Sequence, residues 1–262
     1  MGSGIYQASA KYYDDAYAVK PDLVDLPFYV DLAKQIGGPI LEMGCGTGRV
    51  LLPIARSGID IHGLDNAPTM LNILRERIKN EPEEVRGRIM LNEGDIRQFR
   101  GQKKYALVTI PFRPMQHMYT LEDQLAALKT AAFHLDKNGI LAFDVFFPKF
   151  HLMDTGIGEE VLELEWPVKS HAGRIVRRYF RKDSVDKIDQ VFSFTFIFRT
   201  YENESLVSEE SEALKLSYYA YPQLEALFEL AGLQTVEEYG SFSKTPLNND
   251  AKEMIFLLRR AA

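Results

Sequence analysis

Hydrophobic and polar positions along the first two thirds of the chain follow two alternating periods. The predicted strands are short and largely apolar, at residues 39–43, 59–65, 88–95, 105–111 and 139–147. The predicted helices show apolar residues every three or four positions, at residues 49–58, 67–80 and 120–135. Continuous apolar strands that alternate with helices are typical of a parallel sheet covered on both faces. We therefore expect an α/β fold.

The ends of these helices carry recognisable boundary residues. Asn66 is a candidate N-cap with Pro68 in the first turn of its helix, and Thr120 is a candidate cap for the helix at 120–135. The apolar face of that last helix is predicted to contain Leu121, Leu125, Leu128 and Leu135.

The pattern changes after about Pro148. No helical period is found between Leu162 and Ser217. Two runs there alternate apolar and polar residues, which predicts inserted antiparallel strands. The residues expected to share a face are Leu162, Leu164, Trp166 and Val168 in one run and Phe192, Phe194, Phe196 and Phe198 in the other. A helix at 221–232 and strands at 233–239 and 252–260 are predicted to complete the chain.

Composition excludes several classes of protein. The 262 residues are 46% hydrophobic and 26% charged, with a net charge of −6 that argues against a nucleic-acid partner. Cys45 is the single cysteine, so neither a disulfide framework nor a cysteine-based metal cluster is expected. No apolar run has the length of a membrane span, and the first ten residues lack the apolar region of a signal peptide. We expect a cytoplasmic protein without a metal site.

The stretch ILEMGCGTGRV joins the first predicted strand to the first helix. Its glycines Gly44, Gly46 and Gly48 have the spacing G-x-G-x-G, whereas a dinucleotide-binding loop has G-x-G-x-x-G and would place a glycine at Arg49. Glycines at a strand-to-helix turn let a ligand approach the backbone and the free N–H groups of the helix start.

This spacing resembles class I S-adenosylmethionine-dependent methyltransferases, and two more motifs agree with it in order. The first motif ends its apolar run in an acid, Glu42, the second strand ends in Asp65, and the third strand ends in Asp95. The resemblance runs from Ile40 to Phe147. It implies a Rossmann-like sheet of seven mostly parallel strands with helices on both faces, and an inserted antiparallel sheet that covers the active site. The implied domains are an N-terminal helical cap at 1–38, the methyltransferase domain at 39–150 and 218–262, and the inserted lid at 151–217.

The resemblance also implies which residues bind S-adenosylmethionine. Asp65 would accept the ribose hydroxyls, unless it is only an acid at a helix start. Asp95 would accept from the adenine amino group beside Ile96, unless it is a solvated loop acid. Glu42 would orient loop and ligand indirectly, and Arg49 either reaches the methionine carboxylate or packs on the helix surface. The other expected cofactor contacts are Tyr12, Tyr17, Gly44, Gly46, Gly48, Asn66, Met70, Gly94 and Ile110. Cys45 is interpreted as a small spacer.

Two segments are candidates for the chemistry. QHM after the fourth strand resembles the place where small-molecule members carry a histidine, so His117 is a candidate base or acceptor ligand, or else a packed histidine. YYDDAY resembles a segment that such members fold over the cofactor, so Tyr13 and Tyr17 are further candidates, unless they belong to an amphipathic helix. Asp144 is either a second acid or hydrogen-bonded to the neighbouring loop.

Two further clusters have two interpretations each. The phenylalanines from Phe192 to Phe198 either line the pocket or form the core of the inserted sheet. The basic cluster either meets an anionic substrate or forms a solvated strand face, and it consists of Arg174, Arg177, Arg178, Arg181 and Lys182.

The resulting prediction is an enzyme that transfers a methyl group from S-adenosylmethionine to nitrogen or oxygen of a small molecule. The expected partner is that small-molecule acceptor, and neither a nucleic acid nor a membrane. The alternatives are an NAD-dependent oxidoreductase on a related sheet and a non-catalytic module that binds S-adenosylmethionine. The spacing of the glycines and the acid after the third strand disfavour the oxidoreductase.

Overall fold

The computed structural model describes residues 7–20, 24–168 and 171–261, without the side chains at 7–10 and 14. Parts of the predicted N-terminal cap and of the segment examined for a signal peptide lie outside these residues. The chain divides into two compact units. The larger contains the described residues of Val24–Pro148 and Tyr218–Ala262, and the smaller contains those of Met1–Leu23 and Lys149–Ser217. The segment 1–38 is thus divided between the units, and our domain boundaries stay a prediction.

The larger unit is built on a seven-stranded sheet in the order β10-β11-β5-β4-β1-β2-β3. Its strands are β1 (Ile40–Met43), β2 (Ile61–Asp65), β3 (Ile89–Glu93), β4 (Tyr105–Ile110), β5 (Leu135–Phe146), β10 (Leu233–Tyr239) and β11 (Glu253–Arg260). The pairs among β1 to β5 are parallel, while β11 is antiparallel to both β5 and β10. The expected mostly parallel α/β sheet is therefore confirmed.

Helices connect these strands and cover both faces of the sheet. They are α2 (Asp25–Ile36), α3 (Leu51–Arg56), α4 (Pro68–Lys79), α5 (Glu83–Arg86), α6 (Leu121–His134) and α7 (Tyr221–Leu230). Neighbouring residues of β1 show the double cover, because Ile40 and Leu41 are both fully buried but lie in two different apolar clusters. The continuous apolar strands of the sequence follow from this burial on both faces.

Some predicted helix details are confirmed and others are wrong. Thr120 caps α6, since its hydroxyl accepts from the Asp123 N–H at 3.1 Å. Asn66 is not the cap of α4, which begins after Ala67. Leu121 is 61% exposed and so is not on the buried face of α6. Leu135 is buried, but it is the first residue of β5 because that strand begins directly after the helix.

The smaller unit contains a four-stranded antiparallel sheet in the order β6-β7-β8-β9. The strands are β6 (Glu160–Pro167), β7 (Arg174–Asp186), β8 (Val191–Glu202) and β9 (Ser205–Ser217). The predicted insertion of antiparallel strands is confirmed, although the sequence patterns did not single out β9. Leu162 is half exposed because the pairing register shifts between Leu162 and Leu164. That this sheet covers the active site stays a prediction.

Helix α1 (Gln7–Ala18) belongs to the same unit and supplies part of its apolar core. The ring of Tyr12 stacks on Phe198 with ring centroids 4.7 Å apart, and its hydroxyl donates to Glu210 at 3.0 Å. Phe194 and Phe198 are buried and Phe196 packs against this core. The phenylalanine cluster thus takes part in the core of the inserted sheet. Across the described residues, none of the helices is both long and apolar enough to cross a membrane.

His134 of the larger unit gives the first testable prediction. Its Nδ1 donates to the Thr130 carbonyl at 2.8 Å, and its Nε2 accepts from the Gly101 N–H at 3.0 Å, which requires the neutral ring. Burial lowers the pKa of His134. The unfolded chain therefore binds the proton more readily, so the stability that neutral His134 contributes is present above about pH 6.5 and is lost as the pH falls.

We expect His134→Leu to lower the free energy of unfolding by about 1–3 kcal/mol at pH 7.5, since the Gly101 N–H loses its acceptor. The difference from wild type should shrink steadily on acidification below about pH 6.5. Urea unfolding followed by circular dichroism measures both quantities. A difference that stays constant between pH 7.5 and 5 would contradict this assignment.

Candidate active site

The carboxyl ends of the parallel strands bring the sequence motifs to one edge of the larger sheet. β1 lies between β2 and β4, so the chain leaves β1 toward one side of the sheet and later returns on the other. Such a reversal of strand order opens a crevice at the carboxyl edge, where ligands bind in open α/β sheets. The segments that follow β1, β2, β3 and β4 all begin at this edge.

The glycine loop after β1 turns sharply with three left-handed glycines. Gly44, Gly46 and Gly48 have φ values of 82°, 53° and 85°. A Cβ atom at Gly44 would lie 2.5 Å from Cγ of Pro114, and one at Gly48 would overlap Leu74. A Cβ atom at Gly46 would meet no described atom within 4 Å. Two of the glycines are thus required by packing inside the protein, and Gly46 is the one with free space beside its backbone.

Asp65 ties the glycine loop to the start of α4. One carboxylate oxygen accepts from the Gly46 N–H at 2.7 Å, and the other accepts from the Ala67 N–H at 2.8 Å. Burial raises the pKa of Asp65, and these backbone donors oppose the rise. Asp65 is therefore an acid at a helix start as well as a partner of the loop, while the Asn66 side chain is exposed. A carboxylate has about four acceptor positions, so Asp65 keeps acceptor capacity for a ligand.

Glu42 and Arg49 lie before and after the glycines. Glu42 is 1% exposed, burial raises the pKa of its carboxyl well above the usual range, and its Oε2 has no hydrogen-bond partner among the described residues. Arg49 donates from both terminal nitrogens to Asp25 of α2, at 2.9 and 2.5 Å. The sequence predicted that Arg49 either reaches the methionine carboxylate or packs on the helix surface, and this ion pair is neither of these roles. It was missed because Asp25 lies 24 residues away in an element without a motif.

The third motif, after β3, contains an ion pair that the sequence patterns did not indicate. Both oxygens of Asp95 accept from the Arg97 guanidinium, which also donates to Asp123 at 2.8 Å. These bonds hold the pKa of Asp95 below its usual range. Ile96 beside it is buried, and the Gly94 N–H donates to the carbonyl of Asp65 at 2.9 Å. The expected adenine contact of Asp95 would share the carboxylate with Arg97, and it stays a prediction.

Three other predicted residues are buried in the described structure. Met70 on α4 is 4% exposed, and Ile110 at the end of β4 is fully buried in the core. Cys45 is also buried, which raises the pKa of its thiol well above the usual range. Cys45 thus lacks the exposed, acidic thiol of a nucleophile, as expected of a spacer.

The segment after β4 carries His117. Phe112 and Arg113 both have left-handed backbones, with φ values of 62° and 74°, and a short 3₁₀ helix follows at Pro114–His117. The Nδ1 of His117 lies 3.5 Å from the Tyr119 hydroxyl. Burial lowers the pKa of His117 to about 4, so the imidazole is neutral at physiological pH. An uncharged imidazole can accept a proton or a hydrogen bond.

Asp144 lies at the same edge, near the end of β5. Its carboxylate accepts from the Phe112 N–H at 2.8 Å and from the Tyr29 hydroxyl at 2.6 Å. Burial raises the pKa of Asp144 to about 7. Of the two roles weighed from the sequence, the structure contains the hydrogen bond to the neighbouring loop.

The predicted tyrosines belong to the smaller unit. The rings of Tyr13 and Tyr17 lie 4.4 Å apart, and the guanidinium of Arg178 lies 5.6 Å from the Tyr17 ring. Tyr12 is a core residue of that unit. The roles expected of Tyr13 and Tyr17 in catalysis, and of Tyr12 and Tyr17 at the cofactor, stay predictions.

The basic cluster of β7 is paired with acids on the same sheet. Each arginine of the cluster has an acidic partner, and the pairs are Arg174–Glu202, Arg177–Glu165, Arg178–Glu163 and Arg181–Asp183. Lys182 donates to the carbonyls of Leu152, Met153 and Thr155. These partners favour a structural role of the cluster over a site for an anionic substrate.

The arrangement at the carboxyl edge agrees with a family comparison. Residues 40–139 match the family model described as "Methyltransferase domain". This part of the chain therefore resembles a methyltransferase domain. The resemblance to class I S-adenosylmethionine-dependent methyltransferases is thereby confirmed, and the matched residues contain the glycine loop, Asp65, Asp95 and His117.

Relatives of the methyltransferase domain include enzymes that act on amino sugars. The chain is 25% identical to dTDP-3-amino-3,4,6-trideoxy-alpha-D-glucopyranose N,N-dimethyltransferase of Streptomyces venezuelae over 163 residues. The aligned residues cover 62% of this chain and 64% of that protein. The chain therefore spans less than two thirds of that relative.

Two solved structures share the fold over nearly the whole chain. The CcbJ methyltransferase of Streptomyces caelestis superposes with a TM-score of 0.78 at 21% identity, covering 97% of this chain and 96% of that one. CalS10, a SAM-bound amino pentose methyltransferase of Micromonospora echinaspora, gives a TM-score of 0.67 at 20% identity, covering 98% of both chains. The Rossmann-like fold expected from the sequence is thereby confirmed.

The different surroundings of Gly46 and Gly48 can be tested by stability. Alanine at either position has a left-handed backbone that costs about 1–2 kcal/mol. Gly48→Ala should cost about 1–3 kcal/mol more, because its Cβ overlaps Leu74, while that of Gly46→Ala enters free space. Urea unfolding of the two variants measures this difference. Equal losses of stability in the two variants would contradict this difference in packing.

Proposed function

We propose that the chain is an enzyme that transfers a methyl group from S-adenosylmethionine to an amino nitrogen of a small molecule. The observation that carries the proposal is the free space beside Gly46, whose N–H is hydrogen-bonded to Asp65 at the carboxyl edge of β1 and β2. A left-handed glycine with a carboxylate beside it offers a ligand close backbone approach and acceptors for hydroxyl groups.

The residues present are suited to S-adenosylmethionine. Asp65 retains acceptor capacity for ribose hydroxyls, and Gly46 leaves room for the ligand along the loop. Glu42 holds a buried oxygen without a partner among the described residues. That oxygen is closed to solvent, so Glu42 would act on the ligand through the glycine loop rather than by direct contact. Ile96 contributes an apolar wall where an aromatic base is expected.

When bound, S-adenosylmethionine supplies a methyl group that its positive sulfonium makes electrophilic. The chain's own contribution is to hold the acceptor in line and close, because orientation lowers the barrier for two bound reactants. A secondary or tertiary amine product requires that the nitrogen lose a proton. The imidazole of His117 is neutral, because burial lowers its pKa to about 4, and it is suited to hold the amine by accepting a hydrogen bond. It is a weak base, since an efficient general base has a pKa near the operating pH.

Two of the similar proteins support nitrogen as the acceptor atom. The Streptomyces venezuelae relative is an N,N-dimethyltransferase of an amino sugar, and CalS10 is an amino pentose methyltransferase. The proposal extends that chemistry to a small amine as the substrate class here. It also includes a cytoplasmic location. It includes no nucleic-acid partner, and the net charge of −6 supports this second point.

Cofactor binding is tested by calorimetry with S-adenosylmethionine, S-adenosylhomocysteine and NADH. We expect the first two to bind and NADH not to bind. Asp65→Ala should weaken the binding of S-adenosylhomocysteine by about 1.5–3 kcal/mol, the scale of a charge-assisted hydrogen bond. Asp60→Ala is the matched control. Asp60 lies next to the amino end of β2, away from the carboxyl edge, and its side chain is 64% exposed. Binding of NADH alone would refute the proposal, and equal affinities of Asp65→Ala and wild type would remove Asp65 from the site.

The role of His117 is tested by kinetics with an accepted amine. As the base, His117 should give an ionisation near pH 4 that lowers turnover when the ring binds a proton, and this ionisation should be absent from the pH profile of His117→Ala. His117→Ala should lower kcat by about 10²–10⁴-fold and leave the affinity for S-adenosylhomocysteine unchanged.

The control for this variant is His151→Ala, since His151 is an exposed histidine of the smaller unit. A loss that appears only in KM would assign His117 to holding the acceptor. Full activity and an unchanged pH profile in His117→Ala would exclude it from the reaction.

A further inference from the structure

Helix α2 presents two side chains to the active-site edge of the larger unit. Asp25 and Tyr29 are four residues apart, so they lie on one face of the helix. Both are almost completely buried, with exposures of 2% and 0%. Neither residue belongs to a motif of the sequence, and α2 precedes the matched residues 40–139.

Each of these two side chains holds a different part of the site. Asp25 accepts both terminal nitrogens of Arg49, which directly follows the glycine loop. Tyr29 donates its hydroxyl hydrogen to Oδ1 of Asp144 at 2.6 Å. The same oxygen of Asp144 accepts from the Phe112 N–H at 2.8 Å. One helix face is thus connected to the loop after β1 and, through Asp144, to the segment after β4.

The two parts also contact each other directly. The guanidinium of Arg49 lies 4.6 Å from the centre of the Phe112 ring, which is within cation–π range. The interactions therefore form a closed ring that runs through Asp25, Arg49, Phe112, Asp144 and Tyr29. Removing one hydrogen bond opens the ring and leaves the two loops connected by one path instead of two.

The ring holds a backbone that is costly by itself. Phe112 and Arg113 are consecutive left-handed residues that are not glycine, and each such residue costs about 1–2 kcal/mol. The surrounding side chains offset this cost. Arg113 pairs with Glu253 at 2.6 Å, and the Tyr219 hydroxyl donates to the Met115 carbonyl at 2.5 Å. The short helix that ends at His117 begins directly after this turn, so the turn sets the position of that helix.

We propose that Tyr29 and Asp144 are positioning residues, which couple the glycine loop to the segment that carries His117. They act through Phe112 and Arg49, without touching the reacting atoms. The proposal rests on the proposed function, because it concerns the binding of the cofactor on the glycine loop. One acceptor atom, Oδ1 of Asp144, holds the Phe112 N–H in the segment after β4. The same atom holds Tyr29 on α2, the helix whose Asp25 binds Arg49 beside the glycine loop.

The convergence of two donors on one oxygen makes the proposal testable. Asp144→Asn can keep Oδ1 in place for both donors, whereas Asp144→Leu has a similar size and no acceptor. Because the pKa of Asp144 is about 7, the carboxyl is partly uncharged at neutral pH, so a neutral amide is a close substitute. Tyr29→Phe removes a single hydroxyl and keeps the ring in the core.

The matched control is Tyr105→Phe. Tyr105 is also fully buried and hydrogen-bonded, to Nδ1 of His62 at 2.5 Å, but it begins β4 at the opposite edge of the sheet. Both tyrosine variants therefore lose one buried hydroxyl from the same unit. The readouts are the dissociation constant of S-adenosylhomocysteine by calorimetry, well below each melting temperature, and the melting temperature itself.

We expect Tyr29→Phe to raise the dissociation constant by about 2- to 10-fold, the scale of one hydrogen bond. Asp144→Leu should raise the dissociation constant by at least as much. Asp144→Asn should keep the dissociation constant within about 2-fold of wild type. Tyr105→Phe should lower the melting temperature with an unchanged dissociation constant. If Asp144→Leu does not fold, the comparison of the two tyrosine variants decides.

Two results would overturn the inference. One is an unchanged dissociation constant in Tyr29→Phe, and the other is an equal change in Tyr29→Phe and Tyr105→Phe, which would indicate a general effect of stability. Failure of the proposed function is a separate result, because the wild-type protein would then not bind S-adenosylhomocysteine at all.

Discussion

The hydrogen bond from the Gly46 N–H to the Asp65 carboxylate joins the ends of two neighbouring parallel strands. It fixes the middle of the glycine loop and leaves the outer side of Gly46 facing free space. The other two glycines let Pro114 and Leu74 pack closely against the loop. The proposed cofactor site, the start of α4 and the position of the segment after β4 all depend on this loop geometry.

Several buried acidic residues lie at the same edge of the sheet as that hydrogen bond. Asp25, Glu42, Asp65 and Asp144 are each at most 9% exposed, although charged residues are rarely so buried without partners. Arg49 neutralises Asp25, and backbone N–H groups stabilise Asp65. Glu42 and Asp144 instead have raised pKa values caused by burial. An edge of this kind costs stability, which is typical of a site kept for function.

Much of the fold followed from the sequence because burial on both faces leaves a clear pattern. The strands β1, β2 and β4 are buried along nearly their whole length, whereas β3 at the edge of the sheet is mostly exposed. The glycine motif marks the turn where we propose that the cofactor binds. The helix cap at Asn66 was predicted wrongly, because α4 begins after Ala67, whose N–H donates to the side chain of Asp65 rather than Asn66. Strand β9 gave no clear alternation, since nearly all of its residues up to Glu212 are exposed on both faces.

The side-chain network of the site was less predictable than its backbone. Arg97, Asp25 and Tyr29 have no motif, and their partners are set by how α2, α6 and the loops meet in space. The sequence spacing of Asp25 and Tyr29 indicates a shared helix face, but it does not indicate what that face contacts. Contacts between residues far apart in the chain arise only from the assembled fold, so local patterns contain no signal for them.

The central claim is that the larger unit uses S-adenosylmethionine to methylate a small amine. The most direct test is a screen of amino sugars, other amines, phenols and carboxylates with the purified protein, read out as formation of S-adenosylhomocysteine. The account predicts turnover with at least one class of amine, and loss of that turnover in Gly46→Val, whose branched side chain fills the free space on the loop. Binding of S-adenosylmethionine without turnover on any of these acceptors would contradict the account and favour a non-catalytic binding module.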